Sequence, residues 1–367
     1  MSKATRSATN LLNKPTRSER NSNLELLRIL AALFVIILHY NNNSMGEAFA
    51  FTQAMPQHHH FLFVFEMLAI CAVNIFIMIS GYFLCTSSRV LLWKVIRLYL
   101  DVIFISVLRY ALYCILGMEI FNFSDFLRRF IPLSWYTAVY SGLYMISPYL
   151  NRIMQNQTRS QFRVMLLVFF FVLSLWPSGV EFLSKALDFS PDSFSPISAN
   201  GSGDGYTLVN FILMYLIGAY FRLHESENTS AKQVKDGLII YFVCALLNTL
   251  YGTFFFGRAT SYCNPLVVIQ TVAIFVVFQN IKIQSKVINS IASYSFGVYL
   301  MHSFFFHFCQ IEKHVTGPLW IIPIHIIVCA ILIYAVSALI YGAYQKLFSP
   351  IFSFLQRKLS FLSYDAS

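Results

Sequence analysis

From Leu24 to about residue 345 the chain is a succession of long apolar runs, broken by short polar and charged segments. Most of the runs reach about eighteen residues, enough for an α-helix to cross a bilayer core of roughly 30 Å. The pattern predicts ten membrane helices, at about 24–42, 60–84, 91–116, 134–150, 163–178, 206–222, 237–256, 264–281, 290–310 and 318–345. The fifth is short and is expected to stop at Trp176-Pro177, because proline lacks the amide that a helix interior needs. The fold class is therefore an all-α polytopic membrane bundle. Residues 1–22 are rich in Ser, Asn, Lys and Arg and are expected to be a disordered cytoplasmic tail. Residues 23–346 form the membrane domain. Residues 347–367 mix Phe and Leu with Arg357 and Lys358, as befits a segment in the membrane interface. The longest loop, about 179–205, carries Asp188, Asp192, Asp204 and the run SANGSGDG, and is expected to be flexible at its tip. No internal repeat is evident.

Composition sharpens this picture. Of 367 residues, 57% are hydrophobic and only 11% are charged, whereas a soluble domain is nearer a quarter charged. The 26 Lys and Arg against 16 Asp and Glu do not point to nucleic acid, since no long basic cluster or finger spacing occurs. They follow the positive-inside pattern instead. With a cytoplasmic N-terminus, nineteen basic residues fall in inside segments, and only Arg128, Arg129, Lys185, Arg258 and Lys313 fall outside. Both termini are then cytoplasmic. The seven cysteines are scattered singly, without metal-binding or disulfide spacing, and read as small hydrophobes. The first apolar run is too long for the core of a cleavable signal peptide.

The opening helix carries the most informative residues. In NLELLRILAALFVIILHY, Arg28 and His39 are eleven residues apart. That spacing puts them within about 20° on one helical face and roughly 16 Å apart. Ionisable groups inside a membrane are costly and ordinarily face a cavity or a partner. Arg28 has two readings: it snorkels or pairs with Glu25 at i,i+3, or it holds an anionic group. His39 has two as well: it bonds a neighbouring helix, or it exchanges protons in a cavity. Lys94 and Arg97 are either cytoplasmic anchors or phosphate ligands, with Asp101 placed to neutralise Arg97 at i,i+4. Arg109 lies deeper without an obvious local partner and is read as support for the cavity. Asn74 and Gly81 share a face with Ser80 beside them, which suits either a cavity wall or close helix packing. Ser295 and His302 share another face; His302 is a second cavity residue or a satisfied core histidine. Tyr136, Tyr140 and Tyr144 stack on one helical face, as an interfacial belt or as a surface for stacking a sugar. His58-His59-His60 cannot converge on one metal from consecutive positions, so no metal site is expected.

Four stretches, in order, resemble the bacterial acyltransferase-3 family of integral membrane enzymes. They are the opening helix with its Arg, ten residues, then His; VNIFIMISGYFL (73–84); SWYTAVYSGLYMISPYLN (134–151), ending in Ser-Pro-x-Leu-Asn; and SYSFGVYLMHS (293–303), ending in Tyr-Leu-x-His. The similarity covers roughly residues 22–345. It implies transfer of an acyl group, usually acetyl, from cytoplasmic acyl-CoA to a hydroxyl of a surface polysaccharide or lipid-linked glycan. The acyl-CoA is a donor substrate, and no bound cofactor is expected. The setting implied is the bacterial plasma membrane, with polysaccharide-assembly proteins as further partners. His39 would act as general base, Arg28 would hold the donor phosphate, and Lys94 and Arg97 resemble the family's Arg-x-x-Arg pair, with Lys in the first place. Asn74, Ser80, Tyr140, Ser295 and His302 would line the cavity. Direct base catalysis and an acyl-histidine intermediate are both open routes. The competing function classes are a glycan or lipid exporter, with the buried charges along its pathway, and an assembly subunit of a glycan synthase.

The charge bias makes a topological prediction. A reporter fused after Ser367 should read as cytoplasmic; an external reading would break the assignment of every loop.

Overall fold

The computed structural model describes residues 21–188, 195–197, 202–225 and 229–365. Each of the ten expected segments is helical. Six stretches are by themselves long and apolar enough to cross a bilayer: Ser22–Asn41, Pro56–Leu84, Leu92–Ile115, Arg159–Leu187, Ala231–Phe254 and Ile321–Lys358. Leu208–His224 and Pro265–Gln279 are shorter apolar helices. Trp135–Gln155 buries Thr137, Ser141, Ser147 and Asn151 along one face. The protein is thus an all-α membrane bundle.

Ser22–Asn41 runs through the middle of it. This helix packs against Pro56–Ala69, Ala72–Leu84, Pro265–Gln279, Lys286–Ala292, Ser295–Phe305 and Ile321–Lys358. Leu24, Leu27, Ala31, Ile36 and Tyr40 are fully enclosed. Its start is fastened by Asn23, which donates to the Phe278 carbonyl at 2.6 Å. Its end is fastened by Asn41, which donates to the buried Glu66 at 2.9 Å. By contrast, Ala231–Phe254 and Ile321–Lys358 turn rows of Leu, Ile, Val and Phe outward, among them Phe242, Leu246, Ile331 and Leu339. Such a surface suits lipid rather than water.

Ala72–Leu84 packs extensively against Leu208–His224. Gly81 and Gly218 face each other's helices so closely that an added Cβ would overlap the Tyr215 carbonyl and the Met78 carbonyl respectively. Small residues at such a crossing let two backbones meet, the main source of helix affinity in lipid. Asn74 and Asn151 reinforce the crossing. Asn74 donates to the Tyr262 carbonyl at 2.8 Å and accepts from Asn210 at 3.1 Å. Asn151 donates to the carbonyls of Leu84 and Ser87, at 2.7 and 2.8 Å, and accepts from the Tyr215 hydroxyl at 2.7 Å. The Asn of the Ser-Pro-x-Leu-Asn stretch is therefore a cross-link between three segments.

Three boundaries differ from expectation. The fifth segment does not stop at Trp176-Pro177. It begins at Arg159 behind a Thr158–Gln161 capping box, passes through a π-helical turn at Phe171–Leu175, and continues as Trp176–Leu187. Pro177 sits in the first turn of that last part, where a missing amide costs no helical bond. Residues 179–187 of the expected loop are consequently helix. The tip is also anchored where it is described. Ser202 N donates to the buried Glu181 carboxylate at 2.9 Å, and Arg258 bridges Glu181 and Asp204, both at 3.2 Å. Asp192 and residues 198–201 of SANGSGDG lie outside the described residues. Finally, the last helix runs on to Lys358, and Ser363–Asp365 pairs antiparallel with Arg89–Leu91, with Arg89 opposite Asp365. Residues 347–365 are thus helix followed by one strand of a two-stranded clip.

Replacing Gly81 by Val should lower stability by roughly 3 kcal/mol, the upper part of the usual overpacking range. Gly179→Ala, where a Cβ would meet nothing within 4 Å, should be neutral or stabilising by up to about 1 kcal/mol. Thermal unfolding of the two variants in detergent separates these outcomes.

Candidate functional site: a histidine pair between two cavities

Two cavities enter the bundle, and His39 borders both. The first, of about 360 Å³, runs along the opening helix past Val35 to Arg28. The eleven-residue spacing therefore does what helix geometry dictates: the cation and the imidazole look into one space. The second, of about 580 Å³, is bordered by His302 and by Arg109, Arg128 and Arg129. Trp135 and Tyr299 also border both.

His302 is buried and its ring stacks against that of His39, with centroids 4.7 Å apart. Its Nε2 lies 2.7 Å from His39 Nδ1, and its Nδ1 lies 2.7 and 3.2 Å from the carbonyl oxygens of Tyr299 and Val298. A carbonyl can only accept, so His302 Nδ1 carries the proton. In the neutral ring Nε2 is then the acceptor, and His39 Nδ1 must donate to it. His39 Nε2 is left as an unprotonated lone pair, and no group among the described residues bonds to it. One imidazole sets the tautomer of the other, as a buried acceptor does in a hydrolase triad. The core and cavity readings of His302 merge: the ring is satisfied by its own helix and is also part of the cavity wall.

Arg28 is paired and also faces a cavity. It donates to Glu25 at 2.6 Å while lining the first cavity. Glu25 is buried and the Arg28 side chain keeps 28% of its surface exposed, so donors of its guanidinium remain for a ligand. Ser80 and Ser295 line the same cavity, with their hydroxyls engaged by the Phe76 carbonyl at 2.8 Å and the Tyr334 hydroxyl at 3.1 Å. Tyr140 and Tyr136 line it too, with rings 5.8 Å apart. Tyr144, expected beside them, hydrogen-bonds Leu91 N at 3.2 Å.

Three candidates lie off the cavity wall. Asn74 is consumed in the helix crossing described above. Lys94 sits over the Tyr144 ring at 5.6 Å. Arg97 pairs with Asp101 at 2.9 Å and lies over the Phe352 ring at 3.1 Å. Asp101 also accepts from Tyr341 and Tyr344, at 2.6 and 2.9 Å, fixing Leu92–Ile115 to Ile321–Lys358. Among the three outer histidines, His58 meets the Gly317 carbonyl at 2.8 Å and His60 the Pro56 carbonyl at 2.7 Å. No three His, Cys, Asp or Glu side chains converge as metal ligands among the described residues.

Sequence reasoning missed much of the aromatic wall. Trp135, Tyr206 and Tyr262 come from separate segments, with Trp135–Tyr206 at 4.5 Å and Tyr206–Tyr262 at 4.8 Å. No local signal unites them. Tyr299 did carry one, as the Tyr of the Tyr-Leu-x-His stretch, one helical turn before His302.

The membrane bundle thus places a histidine pair at the junction of two cavities. The family model described as an acyltransferase domain matches residues 21–342. The chain belongs to this acyltransferase-3 family and is a membrane acyltransferase. No curated protein and no solved structure matches it.

Asp101 is the buried anion that Arg97 and two tyrosines share. Asp101→Leu should cost roughly 3–5 kcal/mol, because Arg97 is left without its counter-charge. Detergent melting of that variant beside Asp101→Asn, which keeps acceptor geometry, measures it.

Proposed function

We propose that the protein moves an acetyl or other short acyl group from acyl-CoA to a hydroxyl of a cell-surface polysaccharide or lipid-linked glycan. It does so in the bacterial plasma membrane, as a ten-span bundle with both termini cytoplasmic. The observation that carries this reading is the unbonded Nε2 of His39 at the junction of two cavities. The donor enters along the first cavity, with a phosphate on Arg28 and the pantetheine arm against the Tyr136 and Tyr140 rings. Its thioester then lies beside His39. The acceptor comes through the second cavity.

His39 Nε2 takes the proton from the acceptor hydroxyl as its oxygen bonds to the thioester carbonyl carbon. The tetrahedral adduct collapses, the C–S bond breaks, and the departing thiolate takes the proton from His39. The ester and free CoA leave. When His39 is charged, His302 stabilises it through the Nδ1 hydrogen bond, as the Tyr299 carbonyl does for His302. Transfer is direct; no acyl-enzyme is needed when both cavities meet at one nitrogen. Arg97 is committed to Asp101, so donor binding rests on Arg28 in this account.

The same meeting of cavities favours a second reading, an export pathway for a glycan or lipid. The two differ in what they require. An acyltransferase turns over acetyl-CoA in detergent; an exporter needs closed vesicles and no CoA.

In purified full-length protein, His39→Ala should reduce acyl transfer by about 10²–10⁴-fold, the usual worth of a positioned base. His302→Leu should fall in the same range, and His302→Gln, which can accept and donate like the imidazole, should recover part of it. Full activity in His39→Ala, or equal losses in the two His302 variants, would count against the mechanism.

A further inference from the structure

Arg109 has no role in the chemistry above, yet it sits in the lipid-spanning part of Leu92–Ile115, as far along its helix as His39 is along Ser22–Asn41. A guanidinium at that depth is expensive to keep, and it ordinarily answers an anion. Among the described residues Arg109 has no carboxylate partner, and its Nε is buried without a hydrogen bond. It borders the second cavity beside His302 and His39.

Arg128 and Arg129 border the same cavity. Arg128 is answered by Asp125 at 3.3 Å and Arg129 by Glu119 at 3.8 Å. Those pairs are largely solvent-exposed and weak. Arg129 also lies over the Tyr110 ring at 5.0 Å, with its Nε buried and unbonded. The lining thus carries three guanidinium groups against the single carboxylate of Asp125. The excess charge is concentrated on Arg109, at the cavity's inner end.

We propose that the second cavity is an acidic-acceptor site. Arg109 binds a carboxylate or phosphate on the glycan while a hydroxyl of the same glycan reaches His39. Guanidinium takes both anions through paired N–H donors, which fixes orientation as well as charge. Arg128 and Arg129 draw the acceptor to the mouth. Two points of attachment select which hydroxyl meets the base. This rests on the acyltransferase reading for the role of His39, but the binding of an anion at Arg109 does not.

The test is direct binding to full-length protein in nanodiscs of neutral lipid. Three fluorescent oligosaccharides serve as probes: one containing hexuronic acid, the same one carboxyl-reduced, and one bearing a sugar phosphate. At least one anionic probe should bind more tightly than the neutral one, and the tighter of the two identifies carboxylate or phosphate. Arg109→Gln should weaken that binding by about ten- to a hundredfold, and Arg109→Lys should restore part of it. Binding of the neutral probe should not change. The proposal is overturned if all three probes bind alike, if none binds, or if Arg109→Gln weakens acetyl-CoA binding and spares the anionic probe. Were acetyl-CoA never turned over while the anionic preference held, the transfer reading would fail and the anion site would stand.

Discussion

The structure depends on one hydrogen bond between two neutral rings. His302 is pinned by carbonyls of its own helix, and its remaining nitrogen can only accept. His39 must then offer its Nδ1 proton, which leaves its other nitrogen with a free lone pair. A carboxylate in the place of His302 would orient His39 as well, but it would carry a buried charge in a membrane, at a cost of several kcal/mol. A histidine orients His39 without a buried charge. The backbone carbonyl stands where a triad has its acid.

The surrounding fold protects that geometry. His39 lies on the helix that touches most of the bundle, and His302 lies on the helix beside it. The opening helix is fastened at both ends by asparagines. The glycine crossing between Ala72–Leu84 and Leu208–His224, with Asn74 and Asn151, holds the first cavity's far wall. Polar side chains in this protein therefore fall into two groups. The asparagines bond backbone carbonyls and polar side chains of neighbouring segments, Glu66, Asn210 and Tyr215 among them, and rigidify. His39 and Arg28 line the first cavity, and among the described residues no group bonds His39 Nε2.

Much of the fold was legible because lipid imposes a long apolar period that few other constraints mimic. The Arg28–His39 relation was legible because both residues lie on one helix, where spacing translates into angle. The errors share a cause. Trp176-Pro177 looked like an ending, but a π turn reset the helix and put Pro177 in a first turn. Spacing left belt and cavity open for Tyr136 and Tyr140, because depth in the membrane does not show in it. The pairing of Arg97 with Asp101 was legible from its i,i+4 spacing, whereas its place over the Phe352 ring was not. The pairing of His39 with His302, and the wall of Trp135, Tyr206 and Tyr262, join residues far apart in the chain, and no periodicity records such contacts.

The tautomer of His39 is the central claim, and nitrogen NMR of ¹⁵N-histidine protein in nanodiscs reads it directly. Assigned by single histidine replacements, His39 should show a protonated Nδ1 coupled across a hydrogen bond to an unprotonated His302 Nε2, and its own Nε2 should be unprotonated. A His39 ring protonated at Nε2 would leave no base facing the cavities and would contradict the account.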